Sequence, residues 1–216
     1  FPYTTLFRSC VTELKGVGQA LADKLAKLGI RSVQDLLFHL PYRYEDRTRI
    51  VPIGNLRVGD VAVVEGEVMK ADLVMGRRRS LQVTLKDDSG FLALRFFHFN
   101  ASQKNQLAEG ARVRCFGEVR PGRAGFEFYH PEYQVNPPPM PPADQATLTP
   151  VYPLTEGIQQ PRVRSLCKQA LGFLARFPIK DWLTPELLAD YQLPGINEAV
   201  RMVHSPPAGA PVHLLV

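Results

Sequence analysis

The residues best able to do chemistry lie in the stretch LALRFFHFN, residues 92–100. In an extended strand, successive side chains point to opposite faces. Leu92, Leu94 and Phe96 then share one face, and Ala93, Arg95, Phe97 and Phe99 share the other. A half-buried strand is expected to be apolar on one face and polar on the other. Here aromatics occupy both, and Arg95 sits beside two of them. A guanidinium neutralises phosphate, and an aromatic ring offers a stacking surface to a base. The pattern is that of a nucleic-acid contact led by Phe97 and supported by Phe99. Phe96 travels with the core-facing leucines.

No pattern for catalysis competes with this one. A phosphate-cradling loop of the form G-x-x-x-x-G-K-[ST] is absent. The segment GVGQALAD follows no strand and lacks the third glycine of a dinucleotide site. The five histidines, His39, His98, His130, His204 and His213, are scattered and sit at no metal-ligand spacing. Asp87 and Asp88 stand together in KDDSG, a tight turn where a solvated role is expected rather than acid–base work. The chain reads as a binding module, with no metal and no cofactor of its own.

Five strands must position the aromatic stretch. DVAVVEGEVMKADLV alternates around Val61, Val63 and Val68, and LQVTLKDDSG alternates at Leu81, Val83 and Leu85 before an Asp-Ser-Gly turn. The aromatic stretch is the third strand. NASQKNQLAEG is a short helix capped by Asn100 and closed by Gly110. ARVRCFGEVR is the fourth strand, PGRAG a turn, and FEFYHPEYQV the fifth. Five strands with a helix between the third and fourth match the OB-fold, a small Greek-key barrel; a generic barrel is the alternative. OB-folds bind nucleic acid on strands 2 and 3 and through the loops joining strands 1–2 and 4–5. The first of these loops carries Arg77, Arg78 and Arg79, and the second carries Arg120 and Arg123. These arginines, with Arg95, are the candidate backbone contacts. Each feature has a blander reading, as a solvated loop or a core ring, but they converge on the positions this fold uses.

The expected fold class is therefore α+β with a mainly β core: an OB-fold barrel between short N-terminal helices and a C-terminal helical segment. Residues 10–50 hold two helices after a GVG turn. Leu21, Leu25 and Leu28 lie at helical spacing before Gly29; Ser32 and Asp35 fit a capping box; Val33, Leu36, Leu37 and Leu40 share a face; and Pro41 ends the run. The turn resembles that of helix-hairpin-helix modules, which would make Gly16 and Gly18 phosphate contacts. The other reading is a turn that only packs helices. Residues 51–136 are the barrel, 137–160 a proline-rich linker, and 161–216 a helical connector. In that connector, Val163, Leu166, Ala170, Leu171 and Leu174 share one helix face.

Residues 1–9, FPYTTLFRS, carry no cap or period that joins them to the helices after them. They back-translate to TTTCCCTACACGACGCTCTTCCGATCT, which resembles a sequencing-library adaptor; a natural amphipathic end is the alternative. They are set aside from fold reasoning. The 216 residues suffice for one large or two small domains, and a hydrophobic content of 45% favours a packed core over disorder. A net charge of +5 mildly favours an anionic partner. Three cysteines, Cys10, Cys115 and Cys167, far apart and odd in number, suit a reducing compartment. No apolar run approaches the ~18 residues needed to cross a bilayer. The expectation is a cytoplasmic, monomeric protein without membrane contact.

Several long runs also resemble a known family. LKGVGQALADKLAKLGIRSVQDLLFHLPYRYEDRT, PIGNLRVGD, VEGEV, LRFFHFN, HPEY and LTPVYPLTEGIQQPRVRSLCKQAL are similar to the N-terminal portion of the RecG family of bacterial ATP-dependent DNA helicases, over about residues 12–207. The resemblance implies an OB-fold wedge domain. It would sit at the branch point of stalled replication forks and Holliday junctions, splitting strands in repair and recombination. Its partners would be branched DNA, single-stranded arms and the family's own motor domains. Carried over onto this chain, the wedge aromatics fall on Phe96, Phe97 and Phe99. ATP and magnesium belong to motor motifs that have no positions here, so this chain is expected not to hydrolyse ATP. The prominent run PYRYEDRT, residues 41–48, has no assigned role: Tyr42, Arg43, Tyr44 and Arg47 either pack helices against the barrel or touch DNA. Two further classes stay open. A free-standing single-strand binder would show no preference for forks. A protein-interaction barrel would meet an acidic partner through its basic loops and bind DNA weakly.

Overall fold

The computed structural model describes residues 9–76, 78–122, 125–142 and 146–210. Along the chain run α1 (Gln19–Ala26), α2 (Val33–Leu37), β1 (Arg43–Glu45), β2 (Val61–Val74), β3 (Ser80–Lys86), β4 (Phe91–Phe96), α3 (Ala101–Gln106), β5 (Arg112–Glu118), β6 (Arg120–Gly122), β7 (Gly125–Tyr129), β8 (Glu132–Val135), β9 (Thr149–Val151), α4 (Gln160–Arg176), α5 (Pro185–Asp190) and α6 (Ile196–His204). These elements form two units. One takes the chain up to Asp46 together with the chain from Pro142 on, and the other takes Arg47–Pro141.

The sequence separates the N-terminal helices from the C-terminal ones, but in the structure they build one core. The face of α2 (Val33, Leu36 and Leu37) and the stripe of α4 (Val163, Leu166, Ala170 and Leu174) are buried in the same cluster as Leu25 and Tyr152. Neither amphipathic face could be buried alone, and each fully buried aliphatic side chain contributes about 1.5–3 kcal/mol. The capping box forms as expected: the Ser32 hydroxyl accepts from the Asp35 N–H, and the Asp35 carboxylate accepts from Ser32 N–H. Burial alone would raise the Asp35 carboxyl, but amide bonds from Arg31 and Ser32 hold it below the usual value. Leu40 lies past the end of α2 and is half-exposed, so it does not join the face assigned to it. Ser9 is also part of the fold, its carbonyl accepting from the Val33 N–H at 3.1 Å. The segment set aside as foreign is therefore engaged at its last residue.

The expected linker 137–160 is only partly one. β9 lies within it and pairs with β1, Arg43 opposite Val151 and Glu45 opposite Thr149. Tyr152 and Ile158 are core residues. Within PYRYEDRT, the boundary between the units falls after Asp46. Tyr44 belongs to the helical unit, its hydroxyl donating to the Val203 carbonyl. Arg47 belongs to the barrel, where its guanidinium forks onto Glu132 and covers the Phe116 ring at 3.6 Å.

The barrel unit is a sheet of seven strands in the order β6-β7-β4-β3-β2-β5-β8. β2 is long enough to pair twice, with β5 along its first half and with β3 along its second. Its register with β3 shifts between Val68 and Lys70. Gly66 allows the approach there, since a Cβ would fall 2.6 Å from the Lys86 carbonyl oxygen. The hydrogen-bonded order is an open series, not the closed five-stranded barrel of the element count. Its curl comes from one stretch of chain: β5 and β6 are separated only by Val119, so Arg112–Gly122 pairs with β2 at one end and with β7 at the other. The expected fifth strand also divides. It breaks at His130, whose φ is 47°, and at Pro131, so that β7 joins β4 in parallel while β8 joins β5. Val64, Val83, Leu85, Leu92, Leu94, Phe96, Leu107 and Phe128 fill the interior. The KDDSG turn is structural: Asp87 accepts from the N–H groups of Ile53, Ser89 and Gly90.

Burial in each unit leads to a measurable expectation. In the helical unit, His204 is 3% exposed. Its Nε2–H donates to the Leu37 carbonyl at 2.9 Å, so its Nδ1 accepts from the Tyr152 hydroxyl at 2.7 Å and the ring is neutral. Burial holds this imidazole below the usual histidine value; the Leu37 bond opposes that, and His39 adds to it. As pH falls below about 6.5, the unfolded chain takes up a proton that the folded chain resists, so stability is lost on acidification. Urea unfolding at about pH 7.5 and about pH 5.5 measures this loss, and H204Q should show a smaller difference between the two conditions. In the barrel, Phe96 is 2% exposed and Phe97 half-buried. Phe96→Ala should cost about 3–5 kcal/mol, and Phe97→Ala less than about 1 kcal/mol. Thermal unfolding of both variants checks the assignment, and reversed losses would invert the two faces.

Candidate nucleic-acid interface

β4 ends at Phe96, so the aromatic stretch is a strand only as far as that residue. Alternation still sets the faces that matter. Leu92, Leu94 and Phe96 point inward, and Ala93 and Arg95 outward. Phe97 follows the strand end on the outward side. Phe99 turns partly back, half-buried against the barrel core. Phe97 and Phe99 thus differ in surroundings, although both line a hollow beside the strand end.

The outward face of β3, β4 and β7 carries an open groove of about 770 Å³, with Arg78, Gln82, Arg95, Phe97, Phe126 and Glu127 among its walls. A second hollow of about 550 Å³ lies beside it, walled by Leu73, Arg79, Phe97, His98, Phe99 and Lys104 among others. Phe97 borders both. It forms a ridge, with a groove on either side.

The arginines divide by what they already touch. Arg95 is committed: its guanidinium pairs with Glu127 at 2.9 Å, the two side chains being 20% and 5% exposed. Its Nε has no hydrogen-bond partner among the described residues, and neither has the buried Ser80 hydroxyl in the same groove. Arg120 pairs with Glu118 at 2.9 Å and lies over the Tyr129 ring at 5.3 Å. Arg79 lies over Phe99 at 5.5 Å. Arg78 lines the first groove. Arg77 and Arg123 lie outside the described residues. Gly16 and Gly18 belong to the helical unit. Gly16, at φ 81°, accepts a hydrogen bond from the Arg162 guanidinium through its carbonyl, and Gly18 is the N-cap of α1. Lys15 beside them donates its N–H to the Gln169 side chain of α4 at 2.9 Å. These bonds fasten the turn to α4.

Three residues around the ridge escape a reading of the sequence alone. Tyr129 meets the Phe97 ring edge-on, with centroids 5.7 Å apart. His130 lies 5.6 Å from Phe97 and stacks on His98 at 5.9 Å. The Phe97 N–H donates to His130 Nε2 at 3.2 Å, so that nitrogen carries no proton. Burial, and then the neighbouring His98, hold His130 below the usual histidine value. The only local sign in the sequence is an aromatic strand ending in His-Pro. Among the described residues, no three His, Cys, Asp or Glu side chains gather as a metal would need. No described helix is long and apolar enough to cross a membrane.

Comparison with known proteins gives the ridge a context. A family model for the RecG wedge domain matches residues 11–174. The ATP-dependent DNA helicase RecG of Escherichia coli (strain K12) is 48% identical over 197 residues, covering 91% of this chain and 28% of the relative. RecG of Haemophilus influenzae is 45% identical over 205 residues, covering 95% of this chain and 29% of that one. The solved structure of RecG bound to a three-way DNA junction matches with a TM-score of 0.75 at 25% identity, over 93% of this chain and 27% of that one. The chain thus spans about 28% of the length of the curated relatives it matches. By the match of its fold and of most of its length, the chain belongs to the RecG wedge-domain family.

Proposed function

We propose that the chain binds branched DNA, at stalled forks and Holliday junctions, and keeps the separated strands apart as the wedge of a RecG-type helicase in repair and recombination. The observation that carries this reading is the Phe97 ridge between two grooves. A strand pair divided at such a ridge leaves one base without its stacking neighbour, and an aromatic face substitutes for that neighbour at about 1–3 kcal/mol per base. The relatives carry the name ATP-dependent DNA helicase, and one of them is solved on a three-way junction. In this reading, ATP and magnesium serve motor domains outside the matched portion, and this chain acts in the cytoplasm as a monomer that supplies strand separation without hydrolysis. Arg78 and Arg79 contact the phosphates of single-stranded arms. Arg95 contributes chiefly by holding Glu127, since its charge is already paired.

The test compares a three-way junction, a single strand and a plain duplex at fixed salt. The wild-type chain should prefer the junction, and Phe97→Ala should weaken junction binding by about 1–3 kcal/mol without unfolding the barrel. Equal affinity for junction and single strand would favour a free-standing single-strand binder. Weak DNA binding that is insensitive to Phe97→Ala would favour a protein-interaction barrel. A separate measurement concerns charge. The double variant R78A/R79A should flatten the log–log salt dependence by up to about 0.7–0.9 for each phosphate that is no longer neutralised, and an unchanged slope would show that this loop is only solvated.

A further inference from the structure

The parallel ladder between β4 and β7 pairs Arg95 with Tyr129 in its last register position. One step on, the His130 N–H still donates to the Arg95 carbonyl at 2.9 Å. There the ladder has to stop, because Pro131 comes next and the backbone at His130 has turned into the left-handed region, with φ 47°. The next donor on the other side is the Phe97 N–H. In an unbroken ladder a backbone carbonyl would accept it. Here the acceptor is the imidazole of His130, through Nε2 at 3.2 Å. The side chain continues a ladder that the backbone has abandoned. The same ring lies 5.6 Å from the Phe97 ring, stacks on His98, and meets Phe96 edge-on at 6.1 Å.

We propose that His130 is the positioning residue of the wedge: by accepting the Phe97 N–H and packing beside the Phe97 ring, it holds that ring on the ridge between the two grooves. The inference rests on the reading of Phe97 as the stacking residue. Its physical content is preorganisation. A ring already held in the bound orientation does not have to be ordered when the base arrives, and that cost is removed from binding. The unusual backbone at residue 130 has the same explanation, since a left-handed residue is what brings the imidazole back under the end of β4.

The experiment measures binding of the full chain to a three-way junction and to a plain duplex, for the wild type and for F97A, H130A, H130N, H130Q and the double variant F97A/H130A. All variants are compared at a temperature where they are folded. H130A should weaken junction binding roughly 2- to 10-fold, the worth of one hydrogen bond, and leave duplex binding unchanged. H130N suits the left-handed backbone but is too short to reach the Phe97 N–H, so it should show the same loss even if H130A folds poorly. H130Q can place an acceptor near the Nε2 position, and the chain already tolerates a glutamine in the left-handed region at Gln192. It should restore most of the affinity. F97A/H130A should bind no more weakly than F97A alone, because the histidine acts through the ring. Normal junction binding by H130A and H130N beside weak binding by F97A would overturn this inference alone. Losses that multiply in the double variant would do the same. Normal junction binding by F97A would overturn the wedge reading, and this inference with it.

Discussion

The parallel pairing of β4 with β7 is the interaction on which the rest of the barrel unit depends. Parallel neighbours cannot be joined by a tight turn, so the chain makes a long crossover through α3, β5 and β6 before it returns. That crossover brings Arg112–Gly122 against β2 and β7 at once, which curls the sheet. It also places Phe128 beside Leu94 in register and closes the interior over Phe96. Where the pairing ends, at Arg95 and Tyr129, the two strands part and the ridge begins. Phe97 lies two residues beyond the last position at which β4 pairs with β7, and its ring is half-buried there.

The charges depend on the same pairing. Glu127 on β7 is nearly buried, which is tolerable only because the Arg95 guanidinium lies against it. A buried pair of this kind adds little net stability, because both groups lose their hydration. Its consequence is specificity of register: a slip of one residue would leave the carboxylate buried and alone. Gly122 belongs to this arrangement, since a Cβ there would overlap the Glu127 side chain. The electrostatic character of the outer face is thus not a sum over its arginines. Arg95 and Arg120 are paired with carboxylates, whereas Arg78 and Arg79 form no ion pair with any described residue.

The helical unit shows a related economy. α2 has only five residues, far too few to be stable in isolation. It persists because a capping box closes its start and because its apolar face is covered by α4, which arrives more than a hundred residues later. α6 comes later still, and seats His204 against the Leu37 carbonyl and the Tyr152 hydroxyl. The barrel is inserted into this unit as an excursion of the chain from Arg47 to Pro141.

Whatever depends on near neighbours is legible in the order of the residues. The two-residue period separated Phe96 from Phe97, the Ser32–Asp35 spacing marked a helix start, and Asn100 marked another. Those signals are local, because side-chain direction and capping are set by residues within a turn or two of each other. The rest follows from contacts between residues far apart in the chain. That β7 joins β4 while β8 joins β5 depends on long-range pairing: Pro131 marks a break in the strand but names neither partner. That Arg95 is paired with a carboxylate depends on Glu127, 32 residues away. That the GVG turn is fastened to α4 depends on Arg162 and Gln169. That residues before Asp46 and after Pro142 share one core depends on two amphipathic faces, each of which is legible alone but names no partner. Hydrophobic burial is not directional: a periodic pattern says that a face must be covered, and only the folded chain says by what.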